Sequence, residues 1–453
     1  MPLPNRLTRS SSRNHRFFPE PPKPGDERTP AERDYDRVIY TSAFMRLAGV
    51  SQIAHTADAA VVHNRLTHSL QVASVAKGLA QRFNRTQANV AAKVGGIDPH
   101  VVASAAIAHD LGHPPFGHVA ERVLDGLVRH ELESDAGFEG NPQSFRVVTK
   151  LAIRKRHFRG LNLTRATLNA MLKYPWMREG AGPKNKKWGA YHTDKDFFDF
   201  AREGFEENQL SAEAEIMTFA DDIAYSTHDL EDYYRAGLLP IDRVLNDKTE
   251  QQRFLEGTFE RWGRDGKKFD SVEYERAFRS IIGVAKLVIA DLDEPYCGRS
   301  AQRAAIRSLG SLLIRRFFDA IRLRLPTAAN RRFVEIDPAL EMEIAVLKQF
   351  MWHYVIPNRY FATQEYGQRV IIDSLFKAYK NIVAKPVEAR IDIFPIRYQE
   401  ALRALPGGYA KNREETVRII VDVIADMTEH QAVQTYERLT GHSPGSFLDL
   451  LQR

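Results

Sequence analysis

The chain has 453 residues, of which 43% are hydrophobic and 27% charged, which excludes a mainly disordered chain and a collagen. No apolar run reaches the length of about 18 residues that a membrane-spanning helix needs. The one cysteine, Cys297, excludes an internal disulfide, so we expect a reducing compartment, the cytoplasm, and metal ligands other than thiolates. The net charge of +6 is compatible with a nucleotide, a nucleic acid or an acidic lipid and selects none of them.

Residues 1–25 are predicted to form a disordered, basic and proline-rich tail. Arg6, Arg9, Arg13 and Arg16 occur there before the first acidic residue of the chain. An organelle transit peptide is the alternative, but the arginines lack an accompanying apolar stripe. We therefore favour the disordered tail.

Helical periodicity dominates the remainder of the chain. Thr29, Pro30 and Glu32 predict a capped helix start and with it the beginning of ordered structure. Apolar spacings of three and four predict long helices, whereas strict alternation is limited to 390–393, so we predict a mainly α protein with a few short strands. The predicted helices lie at 65–83, 101–111, 211–235, within 270–325, at 338–352 and at 414–439.

The segment 178–196 differs from these helices in composition. It holds three glycines, a proline and four lysines, with few apolar residues. We interpret it as a mobile loop or a loop that grips an anionic ligand. Its lysines are Lys184, Lys186, Lys187 and Lys195.

The densest titratable cluster follows the apolar segment 101–108. His109, Asp110, His113, His118 and Glu121 occur within thirteen residues. Burying an unpaired aspartate would cost several kcal/mol, and a metal ion that takes histidine and aspartate as ligands removes that cost. The alternative is a structural histidine–aspartate pair at the end of the helix.

Two further predicted helices add candidate ligands. His68 lies beside apolar residues and is expected to face inward, although an inward histidine is also a common core residue. Asp221, Tyr225 and Asp229 recur every four residues and share one helix face. Two imidazoles and two carboxylates would suit Mg, Mn, Fe, Co, Ni or Zn.

The order His68, His109-Asp110, Asp221 resembles the H…HD…D signature of the HD superfamily of metal-dependent phosphohydrolases. More narrowly, the chain resembles the deoxyguanosine triphosphate triphosphohydrolases and related deoxynucleoside triphosphate triphosphohydrolases. Pro142 and the 178–196 loop depart from that family pattern. The resemblance covers roughly residues 26–440 and rests on the blocks 33–37, 64–69, 109–121, 138–141, 172–176, 219–225 and 422–428, with Tyr436 after them.

The resemblance implies an HD-domain helical fold, with a catalytic core at 26–270 and a helical region at 271–453 that packs on the core and contributes to oligomer contacts. It implies hydrolysis of deoxynucleoside triphosphates, with dGTP the leading candidate, to deoxynucleoside and inorganic triphosphate. It also implies a homo-oligomer such as a hexamer, and an allosteric nucleotide between subunits, which Arg418 could contact. A nucleic-acid partner is compatible but not required, and no membrane partner is expected.

The same resemblance assigns one divalent metal ion per subunit to His68, His109, Asp110 and Asp221. Arg65 lies one helical turn before His68, so it can reach a phosphate held at the metal. The other expected nucleotide contacts are Arg46, His113, Asn141, Lys173 and Tyr174, together with Tyr225 and Asp229 against the sugar.

His118 and Glu121 are expected to form the catalytic acid–base pair. They are three residues apart, so on a helix the carboxylate can orient the imidazole. A local surface pair is the alternative. Comparable structural alternatives exist for Lys173 as a solvated lysine and for Tyr225 as a core residue.

Two other functions remain compatible with the sequence. One is a catalytically silent, regulatory HD protein that binds nucleotides or nucleic acid. The other is an HD phosphodiesterase. The complete ligand set argues against the first, the long matching blocks argue against the second, and the identity of the phosphate product distinguishes all three.

Overall fold

The computed structural model describes residues 13–21, 23–52, 63–180, 183–288, 294–357, 359–384, 391–407 and 411–443. Within these residues it contains 20 α-helices and one two-stranded sheet, so the prediction of a mainly α fold is confirmed. No helix in this part of the chain combines the length and the apolar character that crossing a bilayer requires.

The first eleven helices include those that carry the histidine–aspartate cluster. Their bounds are α1 Pro30–Ile39, α2 Ser42–Arg46, α3 Arg65–Thr86, α4 Ala88–Lys93, α5 Pro99–Ala108, α6 Gly117–Leu132, α7 Gly140–Arg146, α8 Arg165–Ala170, α9 Pro183–Lys186, α10 Lys195–Arg202 and α11 Ala212–Arg235.

Nine helices and the sheet follow. Their bounds are α12 Ile241–Asn246, α13 Lys248–Arg264, α14 Ser271–Val288, α15 Ser300–Ala320, β1 Ile321–Leu323, β2 Val334–Ile336, α16 Pro338–Phe350, α17 Arg359–Val383, α18 Ile396–Arg403, α19 Arg413–Ala425 and α20 Glu429–Thr440.

The centre of the fold is the packing of α3 and α11 on α5. Every residue of α5 from Val101 to Ala108 is buried, as its almost wholly apolar sequence predicts. Asp98 caps the start of this helix and Pro99 occupies its first position, while Gly112 and two prolines follow its end. The helix therefore places His109 at the end of a rigid, buried element.

A second apolar cluster joins α6 to the C-terminal helices. Phe116, Leu124 and Val128 belong to the same cluster as Phe376 of α17 and Ile420 of α19. The helix that begins one residue before His118 is therefore packed against the C-terminal region of the chain.

A buried ionic network also joins α7 to α19. Arg146 on α7 donates to Asp422 on α19 at 2.8 Å and also lies 3.1 Å from Asp194, which pairs with Lys150 at 2.8 Å. Gln143 donates a further hydrogen bond to Asp422 at 2.8 Å. Because both aspartates are buried, their charges depend on these partners.

Several predicted boundaries match the structure and two do not. Thr29 and Glu32 form the expected capping box at the start of α1. The predicted helix 414–439 is two helices, because Thr428 caps a new helix start with Gln431. The alternation at 390–393 marks a short 3-10 turn over Ile391–Ile393, and Arg390 lies outside the described residues. The sheet pairs β1 with β2 antiparallel instead.

Part of the predicted N-terminal tail lies against the fold. Arg13 pairs with Glu213, and Arg16 pairs with Asp34 at 2.6 Å. The Phe17 ring lies 4.2 Å from that of Phe197. Residues 13–21 are therefore held by buried acids and aromatic contacts, whereas residues 1–12 lie outside the described residues.

Candidate metal centre and active site

Three parts of the core bring two histidines and two aspartates to one point. His68 lies on α3, His109 and Asp110 follow α5 directly, and Asp221 lies on α11. Nε2 of His68 is 3.1 Å from Oδ1 of Asp221, and Nε2 of His109 is 3.6 Å from the same oxygen. Oδ1 of Asp110 lies 3.3 Å from Nε2 of His109. The structure thus gathers all four side chains that the sequence assigns to the metal.

The orientation of these groups suits a metal ion. Nδ1 of His109 donates a hydrogen bond to the carbonyl oxygen of Ala106 at 2.6 Å, which leaves the Nε2 lone pair facing the two aspartates. Ligand atoms about 2.1 Å from an ion and at right angles to one another lie about 3 Å apart, close to the separations above. His68, His109 and Asp110 therefore lie close enough together to hold one divalent cation with nitrogen and oxygen ligands. Asp221 adds a carboxylate oxygen beside both histidines.

Two cations compensate the two aspartates. Nη1 of Arg65 is 2.8 Å from Oδ2 of Asp110, and Nζ of Lys173 is 2.8 Å from Oδ2 of Asp221. Burial would raise the pKa of both carboxyl groups, but these cations and the neighbouring histidines outweigh burial and hold each pKa well below its usual value. Each aspartate therefore stays ionised, with one oxygen towards the histidines and the other towards a cation.

His118 and Glu121 form the predicted pair at the start of α6. Nδ1 of His118 and Oε2 of Glu121 are hydrogen-bonded, and Oε1 of Glu121 accepts the backbone N–H of Gly140 at 2.8 Å. Burial would raise the pKa of Glu121, but His113 and His118 hold it well below its usual range. The His118 side chain is 61% exposed, so a fixed carboxylate orients an imidazole that solvent or a substrate can reach.

His113 connects this pair to the metal cluster. Its Nδ1 atom is 3.0 Å from Oδ1 of Asp110, and its Nε2 atom is 3.6 Å from Oε1 of Glu121. Burial and the charge of Arg65 lower the pKa of His113, which favours its neutral form. The imidazole thus lies between the candidate metal ligands and the His118–Glu121 pair.

Arg46 faces the main chain instead of the cluster. Its Nη2 atom donates to the carbonyl oxygens of Leu111 and His113 at 2.7 and 2.9 Å, and Nη1 donates to that of Met427 at 3.1 Å. The residue is buried, and burial lowers the pKa of its guanidinium. In this structure Arg46 therefore holds the loop between Asp110 and α6 by hydrogen bonds to its backbone carbonyl groups.

Asn141 and Tyr174 lie on the side of the site near Glu139. The Asn141 amide donates to the Glu139 carboxylate at 3.0 Å, and Lys187 forms an ion pair with the same carboxylate. The Tyr174 ring packs edge-on against Trp176, 5.7 Å away. The 178–196 loop thus contributes Lys187 to the surroundings of the site.

Tyr225 and Asp229 follow Asp221 along α11, as their spacing predicts. The Tyr225 hydroxyl donates to Sδ of Met351 at 2.7 Å. Oδ2 of Asp229 is buried and meets no hydrogen-bond partner among the described residues. Burial and the charge of Asp232 raise the pKa of Asp229 well above its usual value. This wall of the site therefore holds an unsatisfied polar group next to an aromatic ring.

Sequence reasoning missed one residue that shapes the loop. The Ser144 hydroxyl donates to the His109 carbonyl oxygen at 2.6 Å and accepts the Gly112 N–H at 2.9 Å. A Cβ atom at Gly112 would lie 2.1 Å from the backbone nitrogen of Ser144, so only glycine allows this approach. A single serine on a short helix carries no sequence signal for such a role.

Two family models match the chain. The HD domain model matches residues 65–226, which include all four candidate metal ligands and the His118–Glu121 pair. The phosphohydrolase-associated domain model matches residues 334–438. The HD domain match, together with the relatives that follow, supports a metal-dependent phosphohydrolase.

Curated relatives agree over nearly the whole length. A deoxyguanosinetriphosphate triphosphohydrolase-like protein of Streptomyces coelicolor is 34% identical, covering 94% of this chain and 96% of the relative. Its counterpart of the same description in Corynebacterium diphtheriae is 32% identical, covering 93% of this chain and 95% of the relative. A third, from Bifidobacterium longum, is 30% identical over 94% of this chain and 85% of the relative. The chain therefore belongs to the deoxyguanosinetriphosphate triphosphohydrolase-like family of HD-domain proteins.

Proposed function

We propose that the protein hydrolyses deoxynucleoside triphosphates, with dGTP the leading candidate, to deoxynucleoside and inorganic triphosphate. The observation that carries the proposal is the cluster of buried His68, His109 and Asp110 with half-buried Asp221, next to an oriented His118. The printed names of the relatives support the substrate class.

Arg65 and Lys173 are the proposed phosphate-binding cations. Each already contacts the outer oxygen of a metal-ligand aspartate, so each lies beside the place where a triphosphate would meet the metal. Burial would lower the pKa of Lys173, but Asp221 and Asp222 outweigh burial and raise it, so the amine is charged at neutral pH. A charged donor of this kind forms strong hydrogen bonds to phosphate oxygens.

His118 is the proposed proton donor. A divalent cation bound at the four ligands would supply Lewis-acid stabilisation of the charge that develops on the reacting phosphate. Glu121 holds Nδ1 of His118, so Nε2 is the atom that can give a proton to the leaving 5′ oxygen of the deoxynucleoside. Because Glu121 stays ionised, it remains a hydrogen-bond acceptor that fixes the orientation of the His118 ring.

Tyr225 and Asp229 are proposed to recognise the sugar. The unpartnered Asp229 oxygen would gain a hydrogen bond from a 3′ hydroxyl. The Tyr225 ring would occupy the space that a 2′ hydroxyl needs, which would exclude ribonucleotides. His113, Asn141 and Tyr174 remain proposed nucleotide contacts, and Arg46 is proposed to act on the nucleotide through the loop that it holds.

Apart from the allosteric nucleotide that the resemblance places between subunits near Arg418, a second anionic ligand has a candidate location within one subunit. A cavity of about 730 Å³ lies between the N-terminal segment, α1 and the 152–155 turn. Arg33, Arg37 and Arg154 line it, and each has a buried Nε atom without a hydrogen-bond partner among the described residues. Burial and the charge of Arg16 lower the pKa of Arg37 to about 10. An anion would relieve this accumulation of positive charge.

Three further proposals concern assembly, location and partners. A homo-oligomer, a hexamer for example, and a cytoplasmic location follow from the resemblance and from the single cysteine. A nucleic-acid partner stays compatible with the net charge of +6.

A product-resolved assay tests the proposed reaction. Each of the four deoxynucleoside triphosphates would be incubated with the metal-loaded protein, alone and in pairs, and the products separated by ion-exchange chromatography. We expect deoxynucleoside and inorganic triphosphate, with faster hydrolysis in pairs where one nucleotide activates. Release of pyrophosphate or orthophosphate, or no turnover of any nucleotide, would contradict the proposal.

Replacement of His118 by alanine tests the proton donor. General acid catalysis of this kind contributes about 10²–10⁴ in rate, so turnover in His118→Ala should fall by roughly that factor with metal content unchanged. His130→Ala is the matched control, because this histidine is exposed on the same helix. Equal turnover in the two variants would remove His118 from the reaction.

Substitution of Tyr225 tests the sugar selection. The ratio of kcat/KM for each deoxynucleotide to that for its ribonucleotide should fall in Tyr225→Ala, because the space for a 2′ hydroxyl opens. Tyr225→Phe keeps the ring and should keep the ratio. If the ratio is the same in wild type and Tyr225→Ala, other residues exclude the ribonucleotide.

A further inference from the structure

The backbone immediately before His118 is held in an unfavourable conformation. Phe116 has a φ of 66° and a ψ of 15°, in the left-handed region, and Gly117 follows with a φ of 53°. For a residue with a side chain such as Phe116 this conformation costs roughly 1–2 kcal/mol, so it persists only where surrounding groups impose it. The direction in which α6 starts, and with it the position of His118, depends on that turn.

Glu429 supplies the partner that imposes the turn. Its Oε1 atom accepts the backbone N–H of Phe116 at 3.3 Å and that of Ser51 at 2.9 Å. Glu429 is only 1% exposed and is the first residue of α20, whose start Thr428 caps. A buried carboxylate at a capped helix start is a rigid acceptor for the strained amide.

The other end of the loop is tied to the same C-terminal segment. Arg46 links the carbonyl oxygens of Leu111 and His113 to that of Met427, two residues before Glu429. A Cβ atom at Gly49 would lie 2.8 Å from Cβ of Thr428, so the turn that follows Arg46 is in close contact with the start of α20. Residues 427–429 therefore hold the 111–116 loop through its carbonyl groups and through an amide.

We propose that Glu429 is a positioning residue for the reaction: by holding the Phe116 amide it sets the start of α6 and so the place of His118. The inference rests on the proposed function, because it assigns Glu429 an effect on proton transfer by His118. It goes beyond that function because it assigns a role in positioning His118 to the phosphohydrolase-associated part of the chain, residues 334–438.

A double-mutant comparison tests this role in the metal-loaded, full-length protein. The variants are Glu429→Ala, Glu429→Gln, and each of these combined with His118→Ala, with His430→Ala as the control because its side chain is exposed one residue away. A displacement of about 1 Å in a catalytic group can cost about 10²-fold in rate. We therefore expect kcat to fall by up to that factor in Glu429→Ala, with KM and metal content unchanged. Glu429→Gln should recover most of the loss, because its amide oxygen still accepts the N–H.

The combined variants separate positioning from general stability. If Glu429 acts through His118, Glu429→Ala should cause little further loss in the His118→Ala background. The same fold-loss in both backgrounds, or wild-type kcat in Glu429→Ala, would overturn the proposal. If Glu429→Ala does not fold, Glu429→Met, alone and combined with His118→Ala, gives the same comparison, because its side chain fills a similar volume without an acceptor oxygen.

Amide hydrogen exchange provides a readout that does not depend on the substrate. Exchange at residues 111–118 should be faster in Glu429→Ala than in wild type and His430→Ala, and unchanged exchange would overturn the positioning role. If the wild-type protein hydrolysed no deoxynucleotide, the proposed function would fail while this measurement still decided whether Glu429 holds the loop.

Discussion

Two ionised aspartates and two histidines share one buried point of the core, and this concentration of charge constrains the structure around it. Neither carboxylate could stay ionised there without compensation. Arg65 and Lys173 provide it on the outer oxygens, and a divalent cation would provide it on the inner ones. The groups that would bind the metal and the groups that would bind phosphate are therefore adjacent, because the same two carboxylates attract both the metal and the two cations.

The loop after Asp110 has to be as rigid as the helices that flank it, since it carries the groups between the metal ligands and His118. Ser144 fixes its first turn, and Gly112 allows α7 to approach within contact of the backbone. Arg46 and Glu429 hold its carbonyl oxygens and its last amide. The C-terminal helices thus contribute to the site without supplying a metal ligand.

Local patterns in the sequence predicted the parts of the structure that depend on local physics. Apolar spacing located helices such as α3, α5 and α11, although it did not locate α13 or α17. The inward placement of His68 and Asp221 on α3 and α11 predicted that they meet His109. Long-range hydrogen bonds left no such pattern: Arg46 and Met427 are 381 residues apart. The sequence did not predict the packing of Arg13 against Glu213 for the same reason. A charged segment is predicted to be disordered when its buried partner lies far away in the sequence.

The metal centre is the claim on which the proposed chemistry depends, and elemental analysis of purified protein tests it most directly. Wild type should carry one divalent ion per subunit, and Asp110→Ala should lose most of it. Asp222→Ala should retain the ion, because this neighbouring carboxylate is partly exposed and pairs with Lys348 at 2.7 Å. Equal metal content in wild type and Asp110→Ala would contradict the assignment of the four ligands.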